Sequence, residues 1–308
     1  MFQHKLLIIV NLTAGQKRIA RKLPDVLQLF CKNGYLPTVM TTLYQGHARE
    51  LARTYAHEFD LVVCAGGDGT LSETIAGLMD AHLDLPLGYI PCGTTNDLAS
   101  TLGLSSDIDQ AALDILGGKA TELDVGIFNG KTFAYTASFG AFTRASYATP
   151  QTLKNTLGHL AYLLEGLKDL TNIRPIAAHI KTDESEFDGK YVFGSISNST
   201  SLGGVLTLDK EQVMLDDGKF ELVLMESPEN AYELSQLLLN LTQRKFEPPI
   251  LLINSSSIEI TTAQPMDWTL DGEYVKGDTE FAIKNLHAAA KIIVPDSIGN
   301  DVEEDEEG

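Results

Sequence analysis

The stretch "DLVVCAGGDGTLSET" (residues 60–74) runs from an apolar segment into two glycines, an aspartate, a third glycine and a threonine, and then into helix-like spacing. Leu61 to Ala65 read as a buried strand, and the spacing predicts a helix over 70–82, opened by Thr70. Glycine at a strand end costs backbone entropy and adds no packing, so Gly66, Gly67 and Gly69 imply that something approaches the main chain closely. Backbone N–H groups beside a helix N-terminus suit a phosphate. Asp68 would repel that phosphate unless a divalent cation lies between them, as in nucleoside triphosphate sites. The alternative is a tight turn in which Asp68 only caps a helix.

On either side of this stretch, strand-like and helix-like segments alternate. "KLLIIVN" (5–11), "YLPTVMTT" (35–42) and "LPLGYIPCG" (85–93) read as further strands. Helical patterns follow in "GQKRIARKLPDVLQLFCKNG", "GHARELARTYAHEF", "NDLASTLGL" and "DIDQAALDILGG". Such alternation predicts an α/β domain with a parallel sheet over residues 1–125. "NLTAGQK" (11–17), "GGDGT" (66–70) and "CGTTND" (92–97) all fall at the carboxyl ends of strands, where such sheets gather ligands. Thr94, Thr95 and Asn96 offer short polar groups for phosphate or ribose oxygens. The chain has no G-x-x-x-x-G-K-[ST] loop and no G-x-G-x-x-G after its first strand.

Beyond residue 125 the rhythm changes to period two, in "KTFAYTASF", "YVFGSISNS", "KFELVLME", "LLINSSSIEITT" and "KIIVP". This predicts a β-rich domain over 126–295, built as an antiparallel β-sandwich of two packed sheets. Helices are expected at "TLGHLAYLLEGLKDL" (156–170) and "NAYELSQLLLNLTQR" (230–244). Residues 296–308 hold seven acidic residues and read as a disordered tail.

A net charge of -19 argues against nucleic-acid partners. Three scattered cysteines suit buried free thiols, and the short apolar N-terminus does not suit a signal peptide, so a cytoplasmic protein is expected.

"GGDGT" (66–70), "GTTND" (93–97), "LDVG" (123–126), "LDDGKFEL" (215–222) and "DGE" (271–273), in this order, resemble the diacylglycerol kinase catalytic family, and within it the soluble bacterial lipid kinases of diacylglycerol or sphingosine kinase type. "GGDGT" alone is shared with NAD kinases. The resemblance implies a nucleotide-binding domain, a C-terminal β-sandwich, ATP in the cleft between them, and transfer of its γ-phosphoryl group to a lipid hydroxyl. Diacylglycerol giving phosphatidic acid is the leading expectation; an NAD kinase-like enzyme or a non-catalytic nucleotide-binding relative are the alternatives. It implies nucleotide contacts at Asn11, Thr42, Gly66, Gly67, Asp68, Gly69, Thr70, Thr94 and Asn96. The general base falls on Glu273, with Asp271 orienting it or helping to hold magnesium, and Asp68 at the catalytic magnesium. A second, structural magnesium would be held by Asp217 with the carbonyls of Met214 and Lys219, and Asp124 would join a network linking it to the active site. Expected partners are ATP, the lipid alcohol and a transient membrane surface at the inner membrane face, with a homodimer left open.

The sequence departs from the family pattern at Ser100, where an arginine is usual, and at Ser72. Positive charge for the transferring group would then have to come from Lys17, Arg18, Arg21 or Arg53.

Overall fold

The computed structural model describes residues 3–141, 175–202, 206–208 and 213–296. The helix expected over 156–170 and the acidic stretch after Asp296 lie outside the described residues. The chain divides into two units, Met1–Leu123 with Ala288–Gly308, and Asp124–His287.

In the first unit, β1 (His4–Val10), β2 (Tyr35–Thr41), β3 (Leu61–Gly66) and β4 (Pro86–Pro91) alternate with α1 (Arg18–Lys32), α2 (His47–Tyr55) and α3 (Asp68–Asp80). After β4 come α4 (Asp97–Thr101) and α5 (Ile108–Gly117). β1 pairs in parallel with β2 on one side and β3 on the other, and β3 pairs in parallel with β4. The order β4-β3-β1-β2 therefore reverses direction at β1. The crevice beyond the carboxyl ends of β1 and β3 is the switch point where ligands of such sheets bind. Leu6 through Val10 are fully buried, which explains the unbroken apolar run: both faces of β1 are covered. On one face Ile8, Val10, Val63 and Ile90 pack with Val26 and Phe30 of α1 and Ile115 of α5.

The second unit is antiparallel. It contains β5 (Lys119–Phe128, entering from the first unit), β6 (Lys131–Phe133), β7 (Thr136–Gly140), β8 (Ile176–Lys181) and β9 (Glu186–Ser197). Two short strands, β10 (Ser201–Leu202) and β11 (Leu206–Thr207), form a separate ladder. β12 (Phe220–Glu226), α6 (Ala231–Gln243), β13 (Ile250–Ser255), β14 (Ser257–Leu270) and β15 (Glu273–Val294) complete it. Two separate sheets were expected, but hydrogen bonding links β13-β12-β9-β7-β14-β15 into one sheet, with β5 and β6 continuing from β15. That sheet rolls over its own core. Phe133 on β6 and Phe220 on β12 lie far apart in strand order, yet their ring centroids are 5.4 Å apart. Trp268 fills the centre, with Phe128, Phe139 and Phe281 at 4.7, 4.9 and 5.3 Å between centroids.

The expected boundary at 295 differs from what is found. β15 leaves the second unit after His287, and its Lys291 and Ile292 pair in parallel with Pro86 and Leu87 of β4. Ala288, with φ 52, marks the change.

Candidate active site

The crevice in the first unit is built by three loops. β1 ends in Asn11, whose Nδ2 donates to Thr70 Oγ1 at 3.3 Å and whose Oδ1 accepts from Thr13 N and Thr13 Oγ1. Gly66 closes β3 and Gly67 is extended at the helix boundary, so α3 starts at Asp68, two residues before the expected Thr70. The first bond of that helix is Leu71 N to Gly67 O, 3.1 Å. The N–H groups of Asp68, Gly69 and Thr70 thus have no acceptor within their own helix.

The loop after β4 passes this helix start at backbone distance. A Cβ on Gly67 would stand 3.2 Å from Gly93 Cα, and one on Gly93 only 2.6 Å from Gly67 Cα. Gly15 in the first loop is as tight, since a Cβ there would lie 1.7 Å from the Cys92 carbonyl oxygen, and its φ is +46. Only glycine fits at positions 15 and 93, a side chain at Gly67 would push its neighbour aside, and together they bring bare main chain to one place.

Asp68 is buried at 8% exposure. Its carboxylate accepts from Thr95 Oγ1 at 3.3 Å and from Leu98 N at 3.4 Å, in the first turn of α4. Burial pushes its acidity toward the protonated side, opposed by the N–H groups of Asp97, Leu98 and Asn96 and by the Thr95 hydroxyl. The capping alternative is thus partly met: Asp68 faces the N-terminus of the neighbouring helix.

Asn96 braces its own loop, with φ 52: Oδ1 accepts from Gly93 N at 2.8 Å and Nδ2 donates to Gly93 O at 3.2 Å. Both ends of that amide thus brace the loop after β4. Thr94 is exposed beside it, and Thr42 follows β2 with its N–H bonded to Val10 O. Ser100 is exposed and donates to Asn96 O. Among the candidate cations, Arg18 donates to the Ser106 carbonyl at 3.2 Å.

Two residues of this site were not foreseen. Tyr89 is buried, with its hydroxyl 3.3 Å from Asn96 Oδ1 and 3.4 Å from Gly66 O, linking the two glycine loops. Glu73 accepts from Gly46 N at 2.6 Å and Ala48 N at 3.1 Å, fixing the start of α2. A tyrosine inside an apolar strand and a glutamate one turn into a helix carry no local signal of these roles.

In the second unit, Leu270 pairs with Glu273 across a two-residue turn, Asp271 (φ 49) and Gly272 (φ 83). Both positive φ values are what a tight hairpin of this type demands. Glu273 is exposed at the head of β15. Asp271 is buried, and its carboxylate accepts from Ala134 N at 2.6 Å and from Tyr135 N and Thr136 N at 3.0 Å. Both its oxygens bind main chain, which fixes the turn that presents Glu273.

The turn before β12 forms a second polar centre. Asp124 is fully buried and accepts from Gly218 N at 2.6 Å and Asn285 Nδ2 at 3.2 Å, with His287 Nδ1 at 3.1 Å. Asp217 is exposed and accepts from Lys219 N; the Lys219 carbonyl accepts from Asn285 Nδ2, and Met214 is exposed. Glu221, absent from the sequence expectations, is 1% exposed on β12. Burial, and then the charges of Asp217 and Asp124, push its carboxyl up to about 8.

Known proteins resemble this chain along nearly its whole length. Residues 5–128 match the diacylglycerol kinase catalytic domain. The diacylglycerol kinase of Bacillus subtilis (strain 168) is 33% identical over 94% of this chain and 95% of its own. The chain belongs to the diacylglycerol kinase family. A diacylglycerol kinase of Staphylococcus epidermidis is also 33% identical, over 96% of this chain and 93% of its own. The fold agrees: a Bacillus anthracis structure aligns with TM-score 0.80 at 24% identity, covering 97% of this chain and 98% of that one. Among the described residues, no helix of this kinase-family chain is long and apolar enough to cross a membrane.

Proposed function

We propose that the protein is an ATP-dependent lipid kinase that moves the γ-phosphoryl group of ATP onto a lipid hydroxyl, with diacylglycerol as acceptor and phosphatidic acid as product. The observation that carries this is the close passage of Gly67 and Gly93 beside the buried Asp68, a cradle of main chain that a Cβ on Gly93 would fill. Family membership supplies the reaction class.

The N–H groups of Asp68, Gly69 and Thr70 hold phosphate oxygens, and Asn11, Thr42 and Thr94 supply polar contacts around them. Gly66 lets the Thr70 side chain fold back against the strand end, since a Cβ there would stand 2.6 Å from Thr70 Cβ. Magnesium, when bound, supplies the positive charge that lets Asp68 and the phosphates share one site. Glu273 takes the proton of the lipid hydroxyl as its oxygen bonds to the γ-phosphorus and the bond to the β–γ bridging oxygen breaks, releasing ADP. A second cation at the turn before β12 would be held by Asp217 and the carbonyls of Met214 and Lys219; oxygen-only donors suit a hard ion.

The test is Glu273→Gln. Lipid phosphorylation is expected to vanish while ATP affinity stays within about tenfold, a difference of ~1.4 kcal/mol or less. An equal loss of ATP binding would contradict the assignment of Glu273 as the base.

A further inference from the structure

Tyr44 and His47, where the chain turns from β2 into α2, carry stacked rings, with centroids 4.5 Å apart and planes 14° from parallel. Hydrogen bonds set both of them. His47 Nδ1 accepts from Leu43 N at 3.1 Å, and the Tyr44 hydroxyl donates to Glu50 Oε2 at 2.8 Å. The main chain closes the same turn, His47 N donating to Tyr44 O at 3.2 Å. Yet Leu43 is 78% exposed and Tyr44 56%. Single exposed apolar residues are ordinary, but an ordered ring left open to water gains no burial in return for its lost rotamer freedom.

The register of the sheet places this turn beside the phosphate cradle. Val10 at the end of β1 stands opposite Thr41 of β2 and opposite Ala65 of β3. Thr42 N donates to Val10 O and Asn11 N to Ala65 O, both at 2.9 Å, so the three strands end level. Neighbouring strands lie about 4.8 Å apart, which sets the end of β2 about 10 Å from the end of β3. That is close to the reach from polyphosphate to base in an extended nucleotide, and in open α/β sheets a nucleotide spreads over adjacent strand ends in this way.

The turn is also tied to the helix that opens with Asp68. Glu73 of α3 accepts from Gly46 N and Ala48 N, at 2.6 and 3.1 Å. The start of α2 is thus already held by a carboxylate, and the stack beside it is not needed as its cap. What the stack offers is a flat apolar surface with one ring braced from behind, which suits the face of a heteroaromatic base.

We propose that Tyr44, backed by His47, is the platform on which the base of the bound nucleotide stacks. This rests on the nucleotide part of the function proposed above and adds the base to it. Stacking reads the ring face and not its edge, so the platform holds adenine and guanine alike.

The experiment titrates ATP, GTP and inorganic tripolyphosphate into full-length protein with magnesium present, by calorimetry, for wild type, Tyr44→Ala and Tyr44→Phe. Thermal unfolding of each variant checks that the exposed substitution leaves the fold intact. Tyr44→Ala should weaken ATP and GTP about tenfold and leave tripolyphosphate within about twofold of wild type. Tyr44→Phe keeps the ring and loses the bond to Glu50, and should hold ATP within about threefold. Unchanged ATP affinity in Tyr44→Ala, or an equal loss of ATP and tripolyphosphate, would overturn the platform. So would a loss in Tyr44→Phe as large as in Tyr44→Ala. Wild type that binds tripolyphosphate as tightly as ATP would overturn it too, and would leave the phosphate cradle and the lipid kinase reading standing. Wild type that binds neither would contradict both.

Discussion

Gly67 and Gly93 set how closely two strand ends can pass, and substitution there should show it. In Gly93→Ala the new methyl meets the Gly67 backbone at 2.6 Å, where no flexible side chain can yield. A loss of about 1–3 kcal/mol is expected from such overpacking, together with weakened ATP binding. Gly117→Ala is the control: nothing lies within 4 Å of the added Cβ, and stability should hold or rise by about 0.5 kcal/mol. Chemical denaturation of the two variants checks both. Asp271→Asn should cost about 1–3 kcal/mol in the same assay, because one of the two carboxylate oxygens serving three main-chain N–H groups becomes a donor. At this scale the glycine loop and Asp68 were legible because glycine has few other reasons to stand at a strand end. The partners of Asp271, Ala134 to Thr136, were not legible, because they are over 130 positions away in the chain.

Elements are held by residues outside them. Glu73 of α3 binds Gly46 N and Ala48 N, so Glu73→Ala should release the first turn of α2. Amide hydrogen exchange at residues 47–51 should quicken relative to α1, at a cost of about 1–2 kcal/mol. Unchanged protection there would mean that packing alone holds α2. The alternation of strands and helices up to residue 117 was readable because each buried strand is a short apolar run and each helix shows one apolar stripe. The strand read in "KFELVLME" is β12, in which Phe220, Leu222 and Leu224 enter one core and Val223 and Met225 another, with Glu221 buried beside them, a two-sided burial that alternation alone does not reveal. The long strand β15 was read only at its end, since its partner there, β4, is chosen by tertiary pairing that no local pattern encodes.

Across the molecule, thiol chemistry offers a pH-dependent check. Burial disfavours the thiolate, raising Cys64 strongly and pushing Cys92 up to about 11. Both therefore keep their protons below that pH, and at pH 8 about one Cys92 in a thousand is ionised. Native protein should show fast reaction of at most one thiol, the half-buried Cys31, with the other two appearing only on unfolding. The β-rich character of the second half was visible in period-two patterns, but its closure into one rolled sheet was not, because strand order is set by which aromatic faces meet. The most direct measurement of the central claim is transfer of label from γ-labelled ATP, with magnesium, to diacylglycerol in mixed micelles or to NAD. The account predicts labelled phosphatidic acid, abolished by Asp68→Asn; label in NAD, or in neither acceptor, would contradict it.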